Sequence, residues 1–461
     1  MTTTLVLPQS LADEIEAAAK QPLETAGVLI ARIAPVSAND VRLLGLKLIW
    51  VPRSGYIERE EASLSIGSEG YVHALGYAES QGAMAIWLHT HPGLDGIPLP
   101  SSRDKRVDRE ISDLFRMRTG SECYGTLICS PREWGFAFFG SISKSAEAPG
   151  PIDRIWSVGD RLRLTLAFNA TNDKPHPIFD RQVRAFGPAI QIALSNLQIG
   201  IVGCGGTGSA VAEQLLRLGV RRFTLIDPDR LSDSNVTRVY GSTFSDVGKL
   251  KVEVLGNYLR KVAPEANCRQ VASMITSQTA ARELPPCDVV FGCTDDNAGR
   301  LVLSRLAVYF LIPVFDSGVL LSSDTRGLLT GIDGRVTTVI PGQACLVCRD
   351  RIDLARAAAE LRTPEERKRL ENEGYAPALG RAEPAVVTFT TAIAAAAVSE
   401  LLERLIGYGP EQRPTEVLLR LHDREISTNV TQPRAGHYCD PPAGKLGRGF
   451  TEPFLEQTWA A

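Results

Sequence analysis

Three short and almost continuous apolar runs constrain the fold of this chain more than any other feature. They are QIGIVG at 198–203, RFTLID at 222–227 and CDVVFGCTD at 287–295. Strands that are apolar along their whole length suit a parallel sheet whose two faces are both covered by helices. The sequence therefore predicts an α/β fold, with a doubly wound sheet, for the second half of the chain.

A glycine-rich loop, GCGGTGS, joins the first apolar run to the helical stretch AVAEQLLRLG. Its glycines are Gly203, Gly205, Gly206 and Gly208. Glycines let the backbone approach phosphate oxygens, whose negative charge the helix N-terminus stabilises. Asp227 ends the next apolar run, where a carboxylate can bind a ribose. These features predict a Rossmann-like nucleotide site, and alone they fit a nicotinamide dehydrogenase equally well.

Charged residues farther along the chain separate the two possibilities. Arg238 and Lys251 would supply positive charge for a triphosphate rather than for a diphosphate bridge. Asp295 ends the third apolar run, and a carboxylate among phosphates is a natural magnesium ligand. The full ordered series after the glycine loop is Asp227, Asp229, Asn235, Arg238, Lys251 and Asp295.

This series resembles the ThiF/MoeB family, relatives of the ubiquitin-activating enzymes, over about residues 179–440. The resemblance implies that the C-terminal carboxylate of a ubiquitin-like protein attacks the α-phosphate of ATP, which yields an acyl-adenylate and pyrophosphate. It assigns the ribose to Asp227, the phosphates to Asn235, Arg238 and Lys251, and Mg²⁺ to Asp295. Arg181, in FDRQ, matches an arginine that reaches the nucleotide from a partner subunit, so a homodimer is expected.

Three cysteines and one histidine, in two short groups, suggest a structural zinc site. Cys345 and Cys348 form a CxxC pair, and the resemblance pairs it with a second CxxC near the C-terminus. The second pair is altered here to His437 and Cys439, which still permits a Cys₃His zinc site. An unmetallated pair and a redox-active pair are the alternatives.

The crossover segment between Arg349 and His437 contains no cysteine. Many relatives transfer the acyl group to a cysteine in this segment. A thioester on this chain is therefore not expected. The adenylate would instead pass to a separate acceptor, such as the cysteine of a conjugating enzyme or a sulfur donor.

A metal-binding motif lies near the N-terminus, in AMAIWLHTHP. His89 and His91 are two residues apart, and on a strand such residues face the same side. Asp104 offers a third ligand, which leaves one position of a tetrahedral zinc open for water. Bound zinc lowers the pKa of that water to about 7, and Glu24 is the candidate base.

The set resembles the JAMM (MPN-type) metallopeptidases over about residues 20–140. The resemblance implies cleavage after the C-terminus of a ubiquitin-like protein. It makes Glu24 the general acid/base, His89, His91 and Asp104 the zinc ligands, and Ser101 the group that steadies the oxyanion. The loop between His91 and Ser101 is longer than the family pattern, which leaves Ser101 and Ser102 as alternatives.

These motifs divide the chain into a JAMM domain (1–145), a linker with an exit strand (146–177), a ThiF/MoeB-like domain (178–441) and a tail (442–461). The net charge of −3 gives no reason to expect nucleic acid or an anionic membrane as partner. The chain lacks a signal-peptide pattern, a membrane-span pattern and a disulfide scaffold, so a reducing cytoplasm is expected.

The combined prediction is a bifunctional enzyme that exposes or releases the C-terminus of a ubiquitin-like protein and activates it. One alternative is activation of a sulfur-carrier protein with a C-terminal glycine for thiolation in biosynthesis. A second alternative is a catalytically degenerate scaffold that senses nucleotide.

Overall fold

The computed structural model describes residues 2–93, 96–145, 147–167, 174–373 and 385–459. The chain divides into two compact units, Met1–Asp173 with Gly447–Gly449, and Lys174–Leu446 with Phe450–Ala461. Each unit is an α/β structure around its own sheet, as the sequence predicted. No helix in the described part of the chain is long and apolar enough to cross a membrane.

The first unit is built around a nine-stranded sheet of order β11-β10-β1-β3-β2-β6-β7-β8-β9, with β4 and β5 forming a separate pair. Its strands are β1 Thr2–Pro8, β2 Ala26–Pro35, β3 Asp40–Trp50, β4 Tyr56–Arg59, β5 Leu64–Ile66, β6 Met84–Thr90, β7 Cys123–Pro131, β8 Phe136–Lys144, β9 Gly150–Pro151, β10 Arg154–Val158 and β11 Arg163–Leu166. Its helices are α1 Gln9–Ala19, α2 Val72–Ser80 and α3 Ser102–Thr119.

Helices cover both faces of this sheet. The buried residues of α1, including Leu11 and Ile15, join one apolar cluster with side chains of the central strands. Leu75 of α2 and Phe115 of α3 belong to a second cluster. This arrangement buries β6 along its whole length and brings its carboxyl end next to the start of α3.

The segment predicted as a linker with an exit strand contains that strand, β11, but two further strands of the first sheet, β9 and β10, take the place of the linker before it. Residues 150–166 form three strands, and β10 pairs in parallel with β1. Ile155 and Trp156 of β10 are almost completely buried. The Ser, Pro and Gly content of the surrounding segment suggested a linker, but the apolar side chains of IDRIWSV find a partner strand about 150 residues earlier in the chain. Such a distant pairing leaves no local signal in the sequence.

The second unit contains an eight-stranded sheet of order β14-β13-β12-β15-β16-β17-β18-β19. Its strands are β12 Gln198–Val202, β13 Arg222–Ile226, β14 Asn267–Val271, β15 Val289–Gly292, β16 Val314–Ser323, β17 Leu329–Val339, β18 Glu416–Arg420 and β19 Glu425–Asn429. Its helices are α4 Asp180–Asn196, α5 Gly206–Arg217, α6 Lys251–Val262, α7 Gln278–Ala281, α8 Asn297–Tyr309, α9 Leu354–Glu360, α10 Pro364–Asn372 and α11 Val387–Ile406.

The three apolar runs are confirmed as neighbouring parallel strands of this sheet. β12 lies between β13 and β15, and it pairs in parallel with both. After β12 the chain adds β13 and β14 on one side, and it later adds β15 and β16 on the other side. The strand order therefore reverses at β12, while these five strands stay parallel. In open α/β sheets, ligands bind outside the carboxyl ends of the strands at such a reversal.

Residues 450–459 of the predicted C-terminal tail pack into the second unit rather than extending from it. Phe454 and Leu455 are fully buried, and the Arg305 guanidinium donates hydrogen bonds to the carbonyls of Leu455 and Glu456. The aromatic ring of Phe310 lies 4.9 Å from that of Phe450 and 6.0 Å from that of Phe454. The segment was hard to recognise because its few apolar residues are separated by Pro and Gly.

The position of Trp156 allows the strand assignment of β10 to be tested. Trp156→Ala should lower the free energy of local unfolding around β1 and β10 by about 3–5 kcal/mol, because it deletes a fully buried aromatic side chain. Hydrogen–deuterium exchange of the β1 and β10 peptides measures this quantity. Trp134→Ala is the matched control, because Trp134 is 81% exposed, and should change it by no more than about 0.5 kcal/mol. Equal effects of the two substitutions would contradict the assignment.

Candidate nucleotide cleft and metal centres

A cleft of about 830 Å³ lies at the carboxyl ends of the parallel strands in the second unit. Most of the nucleotide-site residues expected from the sequence line it together. They are Gly203, Gly205, Gly206, Asp227, Asp229, Arg238, Lys251 and Asp295. Residues that follow three parallel strands, β12, β13 and β15, therefore meet in one place, although up to 92 positions separate them in the sequence.

Backbone packing explains two of the glycines in the loop. Gly203 has a φ of 91°, and a Cβ there would lie 2.5 Å from the carbonyl oxygen of Cys293. A Cβ on Gly208 would lie 1.8 Å from the carbonyl oxygen of Gly203. Gly208 therefore lies outside the cleft and lets helix α5 approach the loop. A Cβ on Gly205 would meet nothing within 4 Å, so this position keeps the floor of the cleft open.

Asp227 accepts one backbone hydrogen bond from the glycine loop and another from its own loop. Its carboxylate accepts from the amide of Cys204 at 2.7 Å and from the amide of Asp229 at 2.8 Å. Burial raises the pKa of Asp227, while the positive charge of Lys251 and the two amides oppose the increase. Each carboxylate oxygen keeps a lone pair, so the group can still accept hydrogen bonds from ribose hydroxyls.

The two expected phosphate-binding cations occupy different settings. Lys251, at the start of α6, makes a 2.8 Å ion pair with Asp229. Arg238 donates to the carbonyl of Ser234 at 3.0 Å. A Cβ on Gly206 would lie 3.3 Å from Cδ of Arg238, so the stem of this side chain lies against the loop. Both cations therefore lie on the glycine-loop side of the cleft.

Two expected nucleotide contacts lie elsewhere. Asn235 does not line the cleft, because its side-chain oxygen accepts from the amide of Ser232 at 3.1 Å and stabilises a turn. Its backbone carbonyl accepts from the amide of Arg238 at 2.9 Å, so Asn235 helps to position that cation, and its own contact with phosphate stays a prediction. Arg181 is exposed in the first turn of α4 and does not line the cleft of its own chain.

The cysteine and histidine residues predicted to bind zinc do converge. The ligand atoms of Cys345, Cys348, His437 and Cys439 all lie within 4.8 Å of one another. Nδ1 of His437 lies 3.6, 3.4 and 3.3 Å from the sulfurs of Cys345, Cys348 and Cys439, and the last two sulfurs are 3.5 Å apart. Tetrahedral ligands of zinc lie about 3.5–3.8 Å apart when sulfur is about 2.3 Å from the metal, so the four atoms fit zinc.

The histidine motif of the first unit also forms a compact cluster. Nε2 of His89 lies 3.2 Å from Nε2 of His91 and 3.3 Å from a carboxylate oxygen of Asp104, and His91 lies 3.7 Å from the other oxygen. Nitrogen and oxygen ligands about 2.0–2.1 Å from zinc lie about 3.3 Å apart in a tetrahedron. The separations therefore fit a site with three protein ligands and an open fourth position.

Strand pairing and helix capping place the other two residues of this site. Ala26 of β2 pairs with His89 of β6, so Glu24, just before β2, reaches within 4.0 Å of Nε2 of His91. Burial raises the pKa of Glu24 to about 7, although the positive charge of His89 opposes the increase. Ser101 is the N-cap of α3 and accepts from the amide of Asp104 at 3.1 Å.

All five residues line a cavity of about 770 Å³. Ser101 lines it and Ser102 does not, which favours Ser101 of the two alternatives.

Comparison with known proteins identifies the second unit. The family described as "ThiF family" matches residues 179–439, which is more than half of the chain. The chain belongs to the ThiF family. The match begins at residue 179 and does not bear on the histidine site of the first unit.

Three relatives of this ThiF-family chain share part of its sequence. It is 32% identical over 160 residues to the adenylyltransferase and sulfurtransferase uba4 of Aspergillus terreus, covering 32% of this chain and 33% of that protein. It is 26% identical to the SAMP-activating enzyme E1 of Haloferax volcanii, covering 40% of this chain and 64% of that protein. It is 29% identical to the molybdopterin-synthase adenylyltransferase of Escherichia coli, covering 38% of this chain and 68% of that protein. The chain thus spans about a third of the length of the first relative.

Sequence reasoning missed part of this ThiF-family cleft. Arg335 and Arg351 line its far wall, and the fully buried Asp316 lies behind that wall, 2.7 Å from Arg335. The sequence signal for this wall was Asp316, a lone carboxylate inside the apolar run PVFDSG. A buried charge requires a partner, so this residue indicated a cation nearby. The identity of that partner could not be predicted, because Arg335 lies on another strand.

The two ligand clusters predict two metal ions per ThiF-family chain, with different ligand chemistry. Substitution with Co²⁺ should give intense sulfur-to-metal absorption from the cysteine cluster and weak bands from the histidine cluster. Cys439→Ser should reduce the sulfur-to-metal absorption. His91→Ala should remove one equivalent of metal and leave that absorption unchanged. Metal analysis and absorption spectroscopy measure both effects. A single metal in the wild type, or loss of both metals in either variant, would contradict two separate sites.

Proposed function

We propose that this ThiF-family chain adenylates the C-terminal carboxylate of a small ubiquitin-like or sulfur-carrier protein at the expense of ATP. The observation that carries the proposal is the convergence of the glycine loop, Asp227, Arg238, Lys251 and Asp295 in one cleft. An open loop at a helix N-terminus suits phosphate, and two cations beside it suit a triphosphate. The relatives are themselves named as adenylyltransferases or as an activating enzyme.

Each residue has a distinct task in this reaction. Asp227 would hold the ribose, while Arg238 and Lys251 would neutralise the charge that develops on the departing pyrophosphate. Lys251 would exchange its ion pair with Asp229 for phosphate oxygens. Asp295 has an exposed carboxylate at the rim of the cleft and would help to hold Mg²⁺, which would neutralise phosphate charge.

The surroundings of the cysteines favour transfer of the acyl group to another molecule. Eight of the nine cysteines are buried, and Cys293 is partly buried. Burial raises the pKa of Cys293 well above its ordinary range, so this cleft-lining thiol is a poor nucleophile. Among the relatives, the name "adenylyltransferase and sulfurtransferase" favours a sulfur-carrier route over ubiquitin-like conjugation for this chain.

The proposal predicts ATP–pyrophosphate exchange that requires the protein substrate. Small proteins ending in Gly-Gly from the same genome are the substrates to screen. Lys251→Ala should reduce exchange at least about 100-fold, because it removes charge that stabilises the departing pyrophosphate. Lys249→Ala is the matched control, since Lys249 pairs with Asp246 and does not line the cleft. No exchange with any candidate, despite nucleotide binding, would favour the nucleotide-sensing scaffold instead.

The same assay tests the proposed homodimer with shared sites. Arg181 is exposed and lies outside the cleft of its own chain, so we propose that it serves the site of the partner subunit. Arg181→Ala and Lys251→Ala should each be inactive. Co-expression should restore about a quarter of wild-type exchange, because half of the dimers are mixed and each mixed dimer has one complete site. No recovery in proven mixed dimers would assign Arg181 to its own chain.

A second activity, JAMM-type peptidase cleavage at the C-terminus of a ubiquitin-like protein, is proposed for the first unit. The specific observation is the His89, His91 and Asp104 cluster with Glu24 beside it in one cavity. Zinc bound there would activate a water molecule. Glu24 would accept the proton of that water and return it to the leaving amine, and Ser101 would donate a hydrogen bond to the oxyanion.

Glu24→Gln should therefore reduce the rate at which a ubiquitin-like fusion is cleaved after its C-terminal glycine by at least about 100-fold. The variant should retain its bound metal. Glu133→Gln, an exposed carboxylate on another loop, is the control and should cleave normally. Cleavage is followed on gels and metal content by elemental analysis. Full activity of Glu24→Gln with metal bound would remove Glu24 from the mechanism.

A further inference from the structure

The cleft of the second unit has another cationic group at the end opposite the glycine loop. Asp316 of β16 is fully buried, and two guanidinium groups contact it. Arg335 of β17 lies 2.7 Å from one carboxylate oxygen, and Arg300 of α8 lies 3.3 Å from the other. Two arginines around one carboxylate leave one net positive charge. Both arginines line the cleft.

Neighbouring charges on this wall have partners of their own. Arg351 makes two hydrogen bonds to Glu416, at 2.8 and 2.7 Å. Arg420, farther out on β18, pairs with Glu425 at 3.1 Å and lies opposite Asp333 of β17. Nε of Arg300 faces a carboxylate oxygen of Asp316 at 3.3 Å without hydrogen-bond geometry, so Arg300 and Arg335 share this one carboxylate. The group of Arg300, Arg335 and Asp316 therefore carries one excess positive charge, and Asp333 adds a carboxylate to the same wall of the cleft.

A glycine keeps the approach to this charge open. A Cβ on Gly318 would lie 3.4 Å from Nη2 of Arg335 and 3.7 Å from Nη2 of Arg300, so the two groups converge where a side chain is missing. Gly318 also lines the cleft. The two Nη2 atoms can thus donate to one anion that arrives from the cleft, in the manner of paired charge-assisted hydrogen bonds.

The strand order separates this group from the nucleotide phosphates. β16 lies two strands from β12, which is about 10 Å across the sheet. The glycine loop follows β12, and Asp227 and Lys251 lie on the β13 side of it. An ATP phosphate chain held by these groups leaves the Arg300 and Arg335 side for the other reactant, which also carries a negative charge.

We propose that Arg300 and Arg335, fixed by Asp316, bind the C-terminal carboxylate of the protein substrate and hold it for attack. This inference rests on the adenylyltransferase function proposed above. A carboxylate oxygen forms a bond to the α-phosphorus, the bond from that phosphorus to the bridging oxygen breaks, and pyrophosphate leaves with the electron pair. The acyl group of the adenylate carries no charge, so its attraction to the arginines ends with the reaction.

The test compares two fluorescent peptides of one sequence ending in Gly-Gly, one with a free carboxylate and one with a C-terminal amide. Binding is measured by fluorescence anisotropy with a non-hydrolysable ATP analogue present. The free acid should bind at least about 10-fold more tightly than the amide. Arg335→Gln and Gly318→Ala should both remove this preference. Arg326→Gln should retain it, because Arg326 is an exposed arginine of the same β16–β17 hairpin.

Gly318→Ala protects the test against misfolding, because its added Cβ meets only ordinary contact distances and removes no charge. Equal binding of the two peptides to the wild type, including no binding at millimolar concentration, would overturn the inference. An unchanged preference for the free acid in both variants would also overturn the inference. So would variants that lose binding of inorganic pyrophosphate but keep the preference for the free acid. Failure of the wild type to bind the ATP analogue would count against the proposed function instead.

Discussion

The contact between Gly203 and the carbonyl of Cys293 fixes the geometry of the nucleotide cleft. It joins the loop after β12 directly to the end of β15, with no side chain between them. Asp227 then ties the same loop to the end of β13 through the amide of Cys204. The ends of β12, β13 and β15 are thereby held close together, and no side chain fits between the loop and Cys293. The position of Asp295 relative to the loop follows from this contact, since Asp295 lies two residues after Cys293.

The parts of the fold that depend on local pattern could be predicted from sequence. The three apolar runs became β12, β13 and β15 because a fully buried parallel strand is apolar throughout. His89 and His91 could be paired because strand periodicity alone places them on one side. Glu24 was named as the candidate base, a role that the family resemblance also implies, and the pairing of Ala26 with His89 gives its physical basis.

The parts that depend on distant partners could not be predicted. β10 was assigned to a linker because its partner, β1, lies at the other end of the unit. Asn235 was assigned to phosphate from the family pattern, which did not reveal that its side-chain oxygen accepts from a backbone amide of its own turn. The Asp316 group needed three elements, α8, β16 and β17, to be brought together before its charges could be counted.

The parallel pairing of β1 with β10 has a consequence for synthesis and for fragments of the chain. β1 is covered by β3 on one side and by β10 on the other, and its central residues Leu5, Val6 and Leu7 are fully buried. During translation, the edge of β1 that pairs with β10 therefore stays unpaired until residue 158 has been synthesised. A fragment cut at residue 145 keeps every residue of the metal cluster but exposes an apolar strand edge, the type of surface that recruits other chains and aggregates.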